Sequence, residues 1–513
     1  MQQYDIILVS GEYHVDHPLS SVGVLVKVLQ DKGYSVAVIE KPDWKTDKDF
    51  LKYGKPKLFF GITSGSIDSM LVNYTPLKKK RSEDKHNPYN SGIPDRAITV
   101  YCNKLRQLFK ESVLVIGGIE ASMRRFTHYD YWENRLRKSI LLDTRADILV
   151  YGSGEYQIVE IAERIRKGKL LEGIEGTCIV SNAVPNNFET IFSYEDVSKD
   201  KVLFCKMQLM FSTKKNLAQK TDNRYILQYK MHKYTTEELD YIYGLDYSRD
   251  IPKKFSEFKM AQFSVVTHRG CIGNCNFCSI TLHQGDKIVS RSEKSILDEI
   301  KKITQHKDFR GYIDDLGGAS ANMYGMDCLK CEDGRCIGCK NLDLSHSKLI
   351  HLLNEARKIK GIKKIFVRSG IRYDLALSSE EYIKEISQHH LSGCLKIAPE
   401  HTSQKVLKLM NKCDNSKFEK FKKVFEKHNR PLNQYLTYYF MTGHPGSTIE
   451  DAEELAIQLK KLKNVESVQL FTPTPMTIST CMYYTGLNPF TMQKIYVPYT
   501  YNEKKKQKNI LFD

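Results

Sequence analysis

From residue 262 onward, short apolar runs and helical stretches alternate six times, and this alternation constrains the fold more than any other feature. The strand-like runs are Gln262–Thr267, Gly311–Asp315, Lys364–Arg368, Leu395–Ala398, Tyr435–Phe440 and Glu466–Leu470, with helical stretches such as Ser345–Lys360 and Ser447–Lys463 between them. Parallel strands need a crossover, and repeated β-then-α units supply one each time. The pattern predicts a partial (βα)6 barrel over residues 259–490, with active-site residues at the carboxyl ends of its strands.

The chain opens with a second α/β pattern. Tyr4–Val9, Tyr34–Ile39, Lys57–Gly61, Val113–Gly117 and Ala146–Tyr151 read as strands, with an amphipathic helix over Ser21–Lys32. Several end in small residues (Gly61-Ile-Thr-Ser-Gly65, Gly117-Gly118, Gly152-Ser-Gly154), as ligand-binding turns of open parallel sheets do. No G-x-G-x-x-G follows the first strand, which argues against a dinucleotide site. Residues 1–165 therefore read as a Rossmann-like parallel-sheet domain. Residues 166–258, with a lysine-rich helical stretch around Asn216–Lys230, read as a connection, and residues 491–513 as a basic tail.

Directly after the first barrel strand stands Cys271-Ile-Gly-Asn-Cys275-Asn-Phe-Cys278. Three thiolates in eight residues suit three corners of a four-iron cluster and leave one iron open for a small molecule. Gly270 and Gly273 let the loop bend. The competing readings are a chance grouping and a zinc site, which needs His268 or His283 as its fourth ligand. A second cluster, Cys328-x2-Cys331-x4-Cys336-x2-Cys339, lies in an insertion at 326–340. It reads as zinc or as an auxiliary iron-sulfur cluster, with redox pairing as a third option. The remaining six cysteines (Cys102, Cys178, Cys205, Cys394, Cys413, Cys481) are scattered, and most of them read as small buried hydrophobes.

Thirteen cysteines with no visible secretory signal imply a reducing, cytoplasmic setting, and no apolar run approaches the length of a membrane span. A net charge of +17 leaves nucleic acid open as a partner; a lysine-rich composition alone would give the same charge. Lys78-Lys-Lys-Arg81, with the loop through Gly92, reads as a solvated face or an RNA contact. Arg124-Arg-Phe-Thr-His-Tyr-Asp-Tyr-Trp132 reads as a contact for a phosphate-bearing or aromatic ligand, or as a packed loop.

A C-x3-C-x2-C loop with Phe277 before its last cysteine, placed after the first of six βα units, resembles the radical S-adenosylmethionine (radical SAM) superfamily. The resemblance implies that Cys271, Cys275 and Cys278 hold a [4Fe-4S] cluster and that SAM binds its open iron. One electron then cleaves SAM to a 5′-deoxyadenosyl radical. It further implies that Phe277 lies near the adenine and that an external donor of flavodoxin or ferredoxin type supplies the electron. Asp314-Asp-Leu-Gly317-Gly318-Ala319 resembles the superfamily's Gly-Gly-Glu element, which binds the SAM amino group; with Ala319 in place of the acid, the resemblance leaves that work to backbone carbonyls, with Asp315 or Glu400 as the acids that could compensate. Arg372 is the candidate partner of the SAM carboxylate. Gly443-His-Pro-Gly446 resembles the adenine-site turn, with His444 in a structural role.

The likeness extends to the YgiQ-type radical SAM proteins through Ser10–Pro18, Gly117–Trp132, Gly318–Gly325 and Ala398–Ser403. The N-terminal domain resembles the flavodoxin-like cobalamin-binding module that precedes some radical SAM barrels. The Asp-x-His-x-x-Gly that ligates cobalt is absent, since Asp16-His-Pro-Leu-Ser20 lacks its spacing and glycine. Cobalamin would thus bind without a protein lower ligand. The leading expectation is a radical SAM enzyme of unknown substrate. An RNA-modifying radical SAM enzyme, and a non-enzymatic iron-sulfur or zinc protein that binds nucleic acid or senses redox state, stand as alternatives.

Overall fold

The computed structural model describes residues 3–81, 92–328, 330–331 and 336–511, apart from the side chain of Glu257. It divides into two compact units. The first comprises residues 1–233, 245–259 and 474–476; the second comprises 234–244, 260–473 and 477–513.

The first unit is built on a nine-stranded sheet: β1 (Ile6–Ser10), β2 (Val36–Glu40), β3 (Phe59–Thr63), β4 (Val113–Ile116), β5 (Ile148–Val150), β6 (Thr177–Ser181), β7 (Glu189–Ile191), β8 (Leu217–Thr221) and β9 (Arg224–Gln228), in the order β2-β1-β3-β4-β5-β6-β9-β8-β7. The β2-to-β5 half is parallel. All five residues of β1 are buried, as a strand covered on both faces requires, whereas β2 at the edge alternates. Helices α1 (Ser21–Asp31) and α2 (Glu155–Arg166) pack against this sheet through Val22, Val26, Leu29, Ile158 and Ile161.

The stretch expected as a connection carries four strands of the same sheet. Residues 217–228, expected as a helix, form an antiparallel hairpin with Leu217 opposite Gln228. The physical reason is the turn: Asp222 adopts a left-handed φ of 54°, which Asp tolerates, and Tyr225 and Ile226 favour a strand over a lysine-driven helix.

In the second unit the six βα repeats fold as expected. Strands β10 (Ser264–Val266), β13 (Tyr312–Ile313), β14 (Asp315–Gly317), β15 (Lys364–Ile365), β16 (Cys394–Glu400), β17 (Tyr435–Thr442) and β18 (Val465–Leu470) run parallel to their neighbours. A short antiparallel hairpin, β11 (His268–Arg269) with β12 (Val289–Ser290), leads into and out of the cysteine triplet. Helices α3 (Glu293–Thr304), α4 (Ser347–Arg357), α5 (Glu380–His389), α6 (Gln404–Met410), α7 (Asn415–Asn429) and α8 (Ile449–Lys461) alternate with the strands. Ile296, Ile300, Leu352, Leu353, Ile383, Ile386, Phe421 and Leu455 turn one face of these helices onto the strand core. Each fully buried aliphatic or aromatic side chain contributes about 1.5–3 kcal/mol.

Residues 491–513, expected as a basic tail, contain helix α10 (Tyr501–Ile510), which follows α9 (Ile478–Thr485) and is started by a Thr500/Glu503 capping box. The buried Gln507 side chain accepts from the Thr442 hydroxyl at 3.1 Å, Gly443 N at 3.0 Å and the Ser447 hydroxyl at 3.1 Å, and donates to Ser447 O at 2.7 Å. This helix thus completes the barrel's fifth-strand turn. Among the described residues no helix is long and apolar enough to cross a membrane.

Candidate active site at the barrel's carboxyl end

The triplet loop is docked on the end of α6. Asn276 N and Asn276 Nδ2 donate to the Met410 and Leu409 carbonyls, each at 2.9 Å, and Asn411 Nδ2 donates back to Asn274 O at 2.7 Å. The last carbonyls of a helix lack partners within it, and here the loop supplies them. Asn274 takes a left-handed φ of 46° between Gly273 and Cys275.

All three thiols are half-buried. Burial pushes the Cys271 thiol up and that of Cys278 up to about 12. Arg372 stands beside them, with Nη1 3.6 Å from the Cys275 sulfur. Its other two donors are committed: Nε lies 3.0 Å from Asp374 Oδ1 and Nη2 2.7 Å from Oδ2. Burial works against the Arg372 charge, but the Asp374 carboxylate outweighs it and raises its pKa. Burial likewise opposes the Asp374 charge, and Arg372 lowers its carboxyl below the ordinary value. Asn322 fixes the arginine's backbone, accepting from Arg372 N at 2.8 Å and donating to Arg372 O at 3.0 Å. The fork expected to bind the SAM carboxylate is therefore spent on Asp374, and the remaining Nη1 faces the thiols.

Gly273 serves a purpose different from the expected bend. Its φ is not left-handed; instead, a Cβ there would stand 2.5 Å from Arg372 Nη1 and 3.3 Å from the Cys271 sulfur. Gly317 and Gly318 end β14, where a Cβ would meet the Ser369 hydroxyl at 2.9 Å and the His268 ring at 2.7 Å. Of the two acids considered in place of Ala319, Asp315 is occupied: it accepts from Arg368 N at 2.7 Å, Ser369 N at 3.2 Å and the Ser369 hydroxyl. Glu400 has no hydrogen-bond partner for its carboxylate among the described residues, and it holds a left-handed φ of 71° at an irregularity in the β16–β17 pairing. Burial pushes its carboxyl up, against the pull of Lys412 and Arg372.

Phe277 lies edge-on to His444, ring centres 6.4 Å apart. Both nitrogens of buried His444 are engaged, Nδ1 with Pro445 O at 2.8 Å and Nε2 with the Ser479 hydroxyl at 2.6 Å, which is a structural arrangement. The three thiols stand on one loop as soft donors, a donor set that fits a four-iron cluster with one open iron.

Of the second cysteine group, Cys336 is buried, Cys328 and Cys339 are half-buried and Cys331 is exposed. Among the scattered cysteines Cys102, Cys178, Cys205 and Cys481 are buried, as expected, while Cys394 and Cys413 are half-buried. In the first unit, the segment Arg124–Trp132 is packed rather than open, and His128–Asp130 within it pairs antiparallel with Arg135–Arg137. Arg124 pairs with Asp68, Arg125 Nε donates to Gln228 Oε1 at 2.7 Å, and the Tyr131 hydroxyl donates to Pro76 O at 2.6 Å. Lys78 of the basic tetrad lies over the Tyr131 ring at 4.6 Å; residues 82–91 of the adjoining loop lie outside the described residues. His17 sits where the cobalt-ligating histidine would be sought. Its Nδ1 accepts from Leu19 N at 3.0 Å and its Nε2 meets Arg249 Nη1 at 3.1 Å, so neither nitrogen is available to a metal.

Sequence reasoning missed Asp374 and Asn322, which hold Arg372. The first could have been suspected from the Arg-x-Asp spacing; the second carried no signal beyond its place after the double glycine.

Comparison with known proteins agrees with this geometry. Residues 1–268 match the family model described as Radical SAM N-terminal, residues 265–459 the radical SAM superfamily, and residues 466–511 a domain of unknown function, DUF3362. A UPF0313 protein of Clostridium botulinum (strain 657 / Type Ba4) is 42% identical over 541 residues, covering 99% of this chain and 85% of the relative. The chain belongs to the UPF0313 family. A second UPF0313 protein, of Clostridium perfringens (strain 13 / Type A), is 40% identical over 545 residues, covering 99% and 82%. The UPF0313 chain is thus a radical SAM enzyme, with [4Fe-4S] and SAM as its cofactors. Among solved structures, the radical SAM methyltransferase TsrM from Kitasatospora setae, with cobalamin and a [4Fe-4S] cluster bound, matches with a TM-score of 0.55 at 15% identity over 94% of this chain and 76% of that one. The cobalamin-dependent SAM radical enzyme OxsB, with aqua-cobalamin bound, matches with a TM-score of 0.51 at 12% identity, over 93% and 55%. Both share the fold of this UPF0313 protein.

Proposed function

We propose that Cys271, Cys275 and Cys278 hold the [4Fe-4S] cluster, that SAM binds beside them at the carboxyl ends of β14 and β16, and that the substrate is a small molecule or residue reaching the same barrel mouth. The observation that carries this reading is a loop of three thiols beside Nη1, the one Arg372 nitrogen not bound to Asp374, which reaches the Cys275 sulfur. When bound, the cluster supplies the single electron that cleaves SAM to a 5′-deoxyadenosyl radical. Arg372 Nη1 then donates to a cysteine sulfur, and Asp374 keeps the guanidinium aimed there. Glu400 offers its unspent carboxylate to the SAM ammonium in place of the missing acid at Ala319. Gly317 and Gly318 make room for the Ser369 hydroxyl and the His268 ring beside this position, and Phe277 would flank the adenine.

An external donor of flavodoxin or ferredoxin type would deliver the electron. Cobalamin, which the TsrM and OxsB structures hold, would bind the first unit here without His17 on cobalt, because both His17 nitrogens are engaged. The test is SAM titration into anaerobically reconstituted protein, followed by electron paramagnetic resonance of the reduced cluster. A shifted signal in wild type and a much weaker SAM affinity in Glu400→Gln support the reading. An unshifted signal in wild type refutes it.

A further inference from the structure

We propose that Cys328, Cys331, Cys336 and Cys339 bind one zinc ion, and that this closed site holds in place the hairpin that carries the catalytic triplet. One thiol of each C-x2-C half faces the same lysine. Lys287 Nζ lies 3.6 Å from the Cys331 sulfur and 3.3 Å from that of Cys336, so a single ammonium touches a thiol of each half. The second half is already folded as a ligand turn, with Cys339 N donating to Cys336 O at 3.0 Å around Gly338 at a φ of 83°.

Zinc suits this site better than a second cluster. Four cysteines close a tetrahedral zinc sphere, as in structural sites, and would equally close a four-iron cluster, so the choice between them rests on exposure. Cys331 is exposed, and zinc is redox-inert where an exposed cluster would oxidise. Among the described residues the insertion at 326–344 has no helix or strand, and its buried apolar side chains are few, so it gains little from burial alone. A metal crosslink supplies the missing cohesion.

The insertion is tied to the triplet in three ways. Cys336, Met326 and Leu342 share a small apolar cluster with Ile272, which follows Cys271, and with Ile288, which precedes the return strand β12. Ser290 N donates to Asp327 Oδ1 at 2.6 Å, and Gly325 N donates to the Ser290 hydroxyl at 2.9 Å. Lys287, whose ammonium reaches the thiols, also has its carbonyl packed against Gly270. A Cβ at Gly270 would overlap that oxygen, and its φ of 86° is left-handed. Zinc binding therefore bears on the residue immediately before Cys271.

The experiment counts zinc and iron per chain in the full-length protein purified without oxygen, then after addition of zinc alone or of iron and sulfide. Wild type is expected to carry about one zinc with four thiolates. Cys331→Ser/Cys336→Ser is expected to lose the zinc and at least half of the iron. A triple Cys271/Cys275/Cys278→Ala variant guards against misfolding: it keeps the zinc, and with cobalt in place of zinc it shows the absorption of a tetrahedral thiolate site. Zinc loss tests the site itself, whereas the accompanying iron loss rests on the proposed role of the triplet, so the two can fail separately. A wild type with no zinc and about eight irons would overturn the zinc assignment in favour of a second cluster. Undiminished zinc in the double variant would overturn the site, and undiminished iron in a zinc-free double variant would overturn the coupling.

Discussion

Gly273→Ala probes the packing of Arg372 on the triplet. The new methyl would begin 2.5 Å from Arg372 Nη1, and ordinary contact needs about 3.5 Å, so the guanidinium must retreat by about 1 Å. A free arginine would swing aside at little cost. This one is tied to Asp374 through two hydrogen bonds, and both side chains are nearly buried. Retreat gives up one charge-assisted bond, about 1.5–3 kcal/mol, with loss of the whole buried pair, about 3–5 kcal/mol, as the ceiling. We expect about 2 kcal/mol of destabilisation in anaerobic urea unfolding, with slower incorporation of iron. The same substitution in an Arg372→Met background should cost much less, because the obstructing nitrogen is gone. Equal costs in the two backgrounds, within about 0.5 kcal/mol, would refute the steric account.

Three further outcomes follow from the same geometry. Burial lowers His268, His346 and His401 to about 4 and His444 to about 3, from an unfolded value of 6.5. Below that unfolded value the unfolded chain binds protons that the folded chain refuses, so stability is full above it and falls as pH drops, each histidine contributing up to about 1.4 kcal/mol per pH unit; His444→Gln should flatten the fall, measured as urea midpoints from neutral to acidic pH. Glu400→Gly should relieve a left-handed backbone and raise stability by about 1 kcal/mol while weakening SAM binding, read by thermal melting beside SAM titration. Gln507→Ala should cost about 2–4 kcal/mol, because it strips partners from Thr442, Gly443 and Ser447, and thermal melting checks it.

The barrel strands were legible because each is a short apolar run between helical stretches, and the triplet because its three cysteines follow the first of them. The hairpin at 217–228 was hidden by lysines in and around it (Lys214, Lys215, Lys220, Lys230): composition suggested a helix, while the chain reversal rests on the left-handed backbone of Asp222. Helix α10 was hidden likewise, since its polar sequence reads as a tail and only Gln507 and Lys504 turn inward. Within the site, the importance of Gly273 depends on Arg372, far along the chain, and the commitment of the Arg372 fork depends on the rotamer that meets Asp374. The sequence shows an arginine with a carboxylate two residues on, but not which donors remain.

The most direct test of the account is release of 5′-deoxyadenosine from SAM by reconstituted, dithionite-reduced protein, set beside single alanine variants of Cys271, Cys275 and Cys278. The account predicts release in wild type and none above background in any of the three variants. Release that survives loss of one of these cysteines would contradict it.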